Sequence, residues 1–237
     1  MIMKKLTELR AALESLPSIR VARDNEARFK QFLDLSVRAL ESLRKAKSGA
    51  MHAGSNFPES IREDVGEKIR SASDTARRLS ARLSADPGDI AQQRVETSFI
   101  AIFDNAKAGL VLCERSWEDH LERITNNWKA LSDGVMTLAE REDAVRDQSR
   151  RLKGSIDALT KAKGALPQSA SDAQKVDEMK RDLTRSVEEL HLNTPFGRFF
   201  RAASSPEGAD LDALTEEVMD HINQLGLKKA FRIRLSN

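Results

Sequence analysis

"FDNAKAGLVLCERSWEDHLERITNNWKALSDGVMTLAEREDAVRDQSRRLKGSIDALTKAKGAL", residues 103–166, decides the fold. Moving seven residues at a time from Phe103, one meets Leu110, Trp117, Ile124, Leu131, Leu138, Val145, Leu152, Leu159 and Leu166, ten apolar heptad positions in succession. With 40% of the chain apolar, chance agreement over such a run is on the order of one in ten thousand per frame, and a 3.5-residue repeat keeps one helix face toward a partner. Residues 89–166 are therefore expected as one long helix, or two with a bend, ended by Pro167. Gly134 is the expected bend, because glycine weakens a helix interior by about 1 kcal/mol against alanine.

The companion positions at Ile100, Lys107, Glu114, Leu121, Trp128, Val135, Glu142, Ser149, Ile156 and Lys163 change character along the run. Phe99, Ile102, Val111 and Leu112 add apolar groups around the first part, which must then be covered on several sides. Beyond Gly134 only a narrow stripe remains, enough for one partner helix. The sequence supplies that partner after "LPQSAS" (166–171): Val176, Met179, Leu183, Val187 and Leu190 step along one face, and Ser171 and Gln174 stand in capping-box relation. The reading is an antiparallel hairpin against residues 140–166. Glu142 favours it over a parallel dimer, in which the seam would face like charges.

Upstream, Leu6, Leu9, Leu13 and Leu16 mark a short helix before Pro17, and Phe29, Phe32, Leu33, Val37, Leu40 and Leu43 a second one. "SGAMHAGSNFP" (48–58) reads as a loop, with Pro58 opening a third helix. That helix carries Val65, Ile69, Ala72, Ala76, Leu79 and Leu83 in alternating steps of 4 and 3, and stops at "ADPGD" (85–89), where Asp89 is expected to cap the next helix.

At the other end, Thr194-Pro195 predicts an N-cap and first turn for "PFGRFFRAA", which places Phe196, Phe199 and Phe200 on one face with Arg198 and Arg201 off it. Leu211, Leu214, Val218, Ile222 and Leu225 predict one further helix closed by Gly226; the three phenylalanines either pack against it as the core of a miniature unit, or at least one of them meets a partner directly. The segment "AFRIRL" (230–235) alternates Phe231, Ile233 and Leu235 with Arg232 and Arg234, a strand pattern. A lone strand has no hydrogen-bond partner within its own segment, so it pairs with a copy in another chain, adds to an edge of a different protein, or remains a flexible tail, with intermolecular pairing the favoured expectation.

The expected architecture is all-α and elongated: a helical bundle over 1–133, an antiparallel coiled-coil stalk over 134–192, and a small C-terminal interaction module of helices plus one strand over 193–237. Composition agrees, with 32% charged residues, 5% aromatic residues and no Tyr. A net charge of +2 imposes no polyanionic partner. No window of 18 apolar residues predicts a membrane span. The single Cys113 suits a reducing, cytoplasmic setting.

For catalysis, the chain offers neither a phosphate-binding glycine loop nor a metal-ligating framework. Its histidines, His52, His120, His191 and His221, are scattered, and two helical turns separate Cys113 from His120, about 10 Å, an awkward span for one zinc ion. "SLRK" (42–45) matches a short acyl-enzyme motif without its companions. The functional expectation is a non-catalytic adaptor or scaffold with no cofactor, metal or small-molecule substrate. It would self-associate or dock onto a larger complex, such as an ATPase or nucleic-acid-processing machine, through Phe196, Phe199, Phe200, Phe231, Arg232, Ile233 and Arg234. The alternative is a nucleic-acid-binding accessory protein using Arg77, Arg78, Arg82, Arg146, Arg150, Arg151, Lys228 and Lys229 as phosphate contacts.

Overall fold

The computed structural model describes residues 7, 8, 10, 11, 26–139, 145–203 and 208–228. Among them it forms α1 (Glu26–Ala53), α2 (Glu59–Ala85), α3 (Gln93–Ala139), α4 (Arg146–Ala162), α5 (Ala170–Glu189), α6 (Pro195–Ala203) and α7 (Glu216–Gln224), with short 3-10 turns at Gly54–Asn56, Pro87–Ala91 and Leu211–Ala213. The all-α expectation holds for the described residues, which include no strand. The Leu6, Leu9, Leu13 and Leu16 stripe lies outside them, as does the expected strand with Phe231, Arg232, Ile233 and Arg234.

The contacts divide the chain into two compact units, Met1–Glu118 with Leu166–Ala170, and Asp119–Ala165 with Ser171–Asn237. In the first unit α1, α2 and the beginning of α3 share a core of Phe32, Ala39, Leu43, Ala72, Ala76, Leu79, Leu83, Val95, Phe99, Ile102 and Ala106. The Phe32 and Phe99 rings stack at 4.7 Å, and the Cys113 thiol lies 3.6 Å from the Ala46 carbonyl. Both pairs are 67 residues apart, so α1 and α3 run parallel and α2 returns between them. The alanines at the centre of the α2 seam let backbones approach closely. Gly49 makes room for the Leu166 side chain, which a Cβ there would overlap.

Asp86, Pro87 and Gly88 turn α2 toward α3, with the Asp86 carboxylate accepting from the Gly88 amide at 2.9 Å. Asp89 does not cap α3. It is buried, and accepts from Arg82 Nε at 2.6 Å, from Arg94 Nη2 at 3.3 Å and from the Gln92 side-chain amide. The expected loop at 48–58 is shorter than its glycines suggested, because α1 continues to Ala53.

The second unit corrects the single long helix. Gly134 lies inside α3, and α4 begins only at Arg146. Beyond that break the chain reverses: the Ser149 hydroxyl lies 3.5 Å from the Val135 carbonyl, and Lys163 meets Glu122 at 3.7 Å. The residue numbers of these pairs sum to nearly the same value, which marks α4 as antiparallel to the end of α3. Arg151 meets Glu189 at 3.5 Å, so α5 is antiparallel to α4. Within the described residues the expected pairing is seen for α4 and α5, and the end of α3 lies beside α4 as a third helix, while residues 140–144 of the expected stalk lie outside the described residues. Leu121, Leu131, Val135, Val145, Leu152, Ile156, Leu159, Val176, Leu183 and Val187 are buried there.

The heptad run thus belongs to two helices, and it marks the buried face unevenly. At the N-cap of α4 Val145, and within α4 Ser149, Leu152, Ile156 and Leu159, are buried as expected. Early in α3 the core is carried instead by Val95, Phe99, Ile102, Ala106 and Cys113, while Phe103 and Leu110 are half-exposed and Ile100 is exposed. A straight helix drifts about 20° per heptad against a 3.5-residue repeat, so one heptad frame cannot follow its buried face throughout. The capping box also fails: α5 starts at Ala170, ahead of Ser171, and the Gln174 amide donates to Glu178 at 3.2 Å.

Candidate interaction surface

The C-terminal helices close one end of the second unit. The α5 helix stops in a left-handed turn at His191, φ 53°. The Leu192 amide donates to the Val187 carbonyl and the His191 amide to that of Glu188, both at 2.9 Å, the paired bonds of a Schellman terminus. Leu192 then begins the reversal into α6. The Thr194 hydroxyl donates back to the His191 carbonyl at 2.6 Å, while the Thr194 carbonyl takes the Arg198 amide at 3.3 Å. Gly197 is required here, because a Cβ would fall on the Leu192 backbone.

The α7 helix packs beside α6. It opens at Leu214-Thr215 rather than Leu211: Leu211–Ala213 form a 3-10 turn, Leu211 is exposed, and the Thr215 hydroxyl accepts from the Val218 amide at 3.4 Å. It ends in a second Schellman turn at Gly226, φ 68°, with the Leu227 amide on the Ile222 carbonyl at 2.8 Å. The His221 ring meets His191 edge-on at 4.5 Å and lies over Phe196 at 6.2 Å. Burial, then the nearby His221, holds the His191 imidazole below its ordinary pKa.

Phe196, Phe199 and Phe200 are 2%, 9% and 3% exposed, so the described structure places these sequence-selected docking residues in the protein's own core. With Val135, Val145, Leu190, Leu192, Leu225 and Leu227, Phe196 and Phe200 enclose a void of only about 10 Å³, scarcely room for one water.

The opposite face of α6 is open. Arg198 and Arg201 are exposed and, with Asn193, Leu192, Ala202 and the half-buried Trp128 of α3, line a groove of about 480 Å³. Among the described residues neither arginine makes an ion pair and no carboxylate lines the groove. The arrangement can hold an anionic group beside an apolar surface. Guanidinium groups stay protonated, so they supply no acid-base pair.

The other selected cations sit differently. Arg77 pairs with Asp74 at 3.4 Å, Arg82 with Asp89 at 2.6 Å, Arg150 with Asp147 at 4.0 Å and Arg151 with Glu189 at 3.5 Å. Arg78 donates to the Thr75 hydroxyl at 3.3 Å. Arg146 heads α4 and Lys228 is exposed beyond α7, so the described members of the set are spread over two helices, α2 and α4, and the segment after α7, and Lys229 is outside the described residues.

Sequence reading missed the groove because 70 positions separate Trp128 from Arg198. One signal was available: residues 190–206 contain no acid, in a chain with 37 of them, so the two arginines have no local partner.

Cys113 is fully buried, and burial, with the Glu114 charge second, raises its thiol pKa to about 11. His120 has a buried Nε2, and burial, reinforced by Lys180 and Arg123 against the opposing Asp177, lowers its pKa to about 4. Among the described residues no helix is long and apolar enough to cross a membrane.

No protein-family description, curated protein or solved structure matches the chain.

Proposed function

We propose that the chain is a non-catalytic helical adaptor or scaffold subunit, working in the cytoplasm, that docks onto a larger protein assembly or onto its own copies through its C-terminal module. The observation that carries this reading is the open arginine and tryptophan groove on α6, on a helix whose other face is committed to the core. A surface that combines arginine with a tryptophan has the composition of protein-binding hot spots. The antiparallel helices α4 and α5 are the coiled-coil element of this reading.

The nucleic-acid alternative draws on Arg77, Arg78, Arg82, Arg146, Arg150, Arg151, Lys228 and Lys229. Ion pairs occupy Arg77, Arg82, Arg150 and Arg151, and no observation gathers the set onto one track, so the docking reading has the better support.

Cross-linking mass spectrometry on the full chain with its co-purifying proteins tests the proposal. Cross-links are expected from Lys129 and Lys228, on or near the C-terminal module. Partner cross-links confined to Lys30, Lys45, Lys47 and Lys68 of α1 and α2 would refute it. Light scattering then separates the two modes. A full-length oligomer that becomes monomeric on removal of residues 229–237 assigns self-association to the tail, while an unchanged mass leaves hetero-docking. Truncation at Lys228 is preferable to one at Leu190, which would remove Phe196, Phe200 and Leu227 from the core.

A further inference from the structure

Arg198 and Arg201 stand one helical turn apart with no acidic partner among the described residues. Several cations of the other helix faces meet an acid three or four residues away: Lys30 with Glu26, Arg38 with Asp34, Arg77 with Asp74 and Arg185 with Asp182. Arg198 and Arg201 have none within reach in sequence, and tertiary folding brings them Trp128 and Asn193 instead of a carboxylate. Their Cβ positions, three apart on a helix, are separated by about 5–6 Å, a spacing that suits two carboxylates on one short segment. The groove floor of Leu192, Ala202 and Trp128 is apolar, and its volume of about 480 Å³ is that of a small binding site.

We propose that this groove receives an acidic peptide segment of a partner protein, its carboxylates paired with Arg198 and Arg201 and one bulky apolar side chain laid on Trp128. This rests on the docking reading above and names the chemistry of the partner. Charge complementarity selects the occupant: the groove presents guanidinium groups that can fork onto carboxylates, an Asn193 amide at its rim, and no negative charge. A single nucleic-acid strand is the less favoured occupant. Such strands are held by a continuous basic track over several phosphates, whereas two contacts give only a weak, salt-sensitive hold.

The test selects peptides from a displayed library of random dodecapeptides on the full-length protein, then measures the enriched peptides by fluorescence anisotropy. The expected sequences are acidic with an aromatic or aliphatic residue. Their affinity should fall at least about tenfold in Arg198→Glu/Arg201→Glu and stay unchanged in Arg78→Glu. A second readout needs no variant: Trp117 is buried, so acrylamide quenching of the native protein reports Trp128, and peptide binding should suppress it.

Enriched peptides without acidic bias, or acidic peptides insensitive to the double charge reversal and silent at Trp128, overturn the inference while leaving the docking reading standing. Arginine-dependent binding of a short oligodeoxythymidylate that displaces any selected peptide overturns it in favour of nucleic acid. The cross-linking pattern judges the docking reading separately, so the two failures are distinguishable.

Discussion

Replacing one hydrogen by a methyl group should have opposite effects at two helical glycines of the second unit. In Gly197→Ala, an ideally placed Cβ lies 2.6 Å from Leu192 Cα and closer still to its carbonyl group, where carbon atoms prefer about 3.5–4.0 Å. The opposing atoms are backbone, held by the Leu192 amide bond to Val187, so α6 must shift by about 1 Å from the core carrying Phe196, Phe199 and Phe200. Overpacking of this kind costs up to about 3 kcal/mol, and alanine returns about 1 kcal/mol of helix propensity. The expected net loss is about 2 kcal/mol. In Gly154→Ala the new methyl meets nothing within 4 Å, and only the gain of about 1 kcal/mol remains. Urea unfolding followed by circular dichroism should place the variants on opposite sides of the parent. Two compact units need not unfold together, so hydrogen exchange of the α6 amides should also be compared and should quicken only in Gly197→Ala. A Gly197→Ala protein as stable as the parent, with unchanged α6 exchange, would refute the close approach and the turn geometry behind it.

Asp89→Ala removes the acceptor shared by Arg82, Gln92 and Arg94 and should destabilise the first unit by about 2 kcal/mol; thermal melting should show Asp89→Asn losing less. Cys113, with its thiol pKa near 11, should react with a disulfide reagent at pH 8 at least about a hundredfold more slowly than the unfolded chain. Equal rates in native and denatured protein would contradict its burial. For His120, the unfolded imidazole takes a proton near pH 6.5 and the folded one only near 4. Stability is thus lost as pH falls through that window, by at most about 3 kcal/mol and by about 1 kcal/mol after solvent screening of this half-exposed group. The difference between the parent and His120→Gln, measured by urea midpoints from pH 7 to pH 4, should show that slope; parallel curves would exclude it.

The sequence made helix existence and type legible, because heptad spacing survives wherever a helix buries one face. The α2 seam from Val65 to Leu83 and the α4 seam from Val145 to Leu159 both lie where their spacing puts them. The reversal between α3 and α4 was hidden for a physical reason. The apolar series passes through Leu138 and Val145 without losing phase, and no proline marks residues 135–144. Periodicity reports which face is apolar; it does not report whether the next turn continues along the same axis. Gly134 attracted the bend by propensity, but packing of the flanking Leu131 and Val135 keeps that turn helical.

The C-terminal phenylalanines show the same division between pattern and place. Their shared face was readable at spacings of 3 and 4, and so was their departure from the charged character of the chain. Which partner covers that face was not, because Val135 of α3, Val145 at the N-cap of α4 and Leu190 just beyond α5 are far apart in sequence and spacing alone cannot bring them together. Once those helices cover the phenylalanines, the consequence for recognition is inverted. The aromatic face of α6 is the anchor that fixes the helix, and the arginine face is what the described residues leave open. The absence of acids between Leu190 and Pro206 then acquires a physical meaning. A carboxylate in that stretch could neutralise Arg198 or Arg201 within the chain, and the charge that would draw a partner to Trp128 would be spent before the partner arrived.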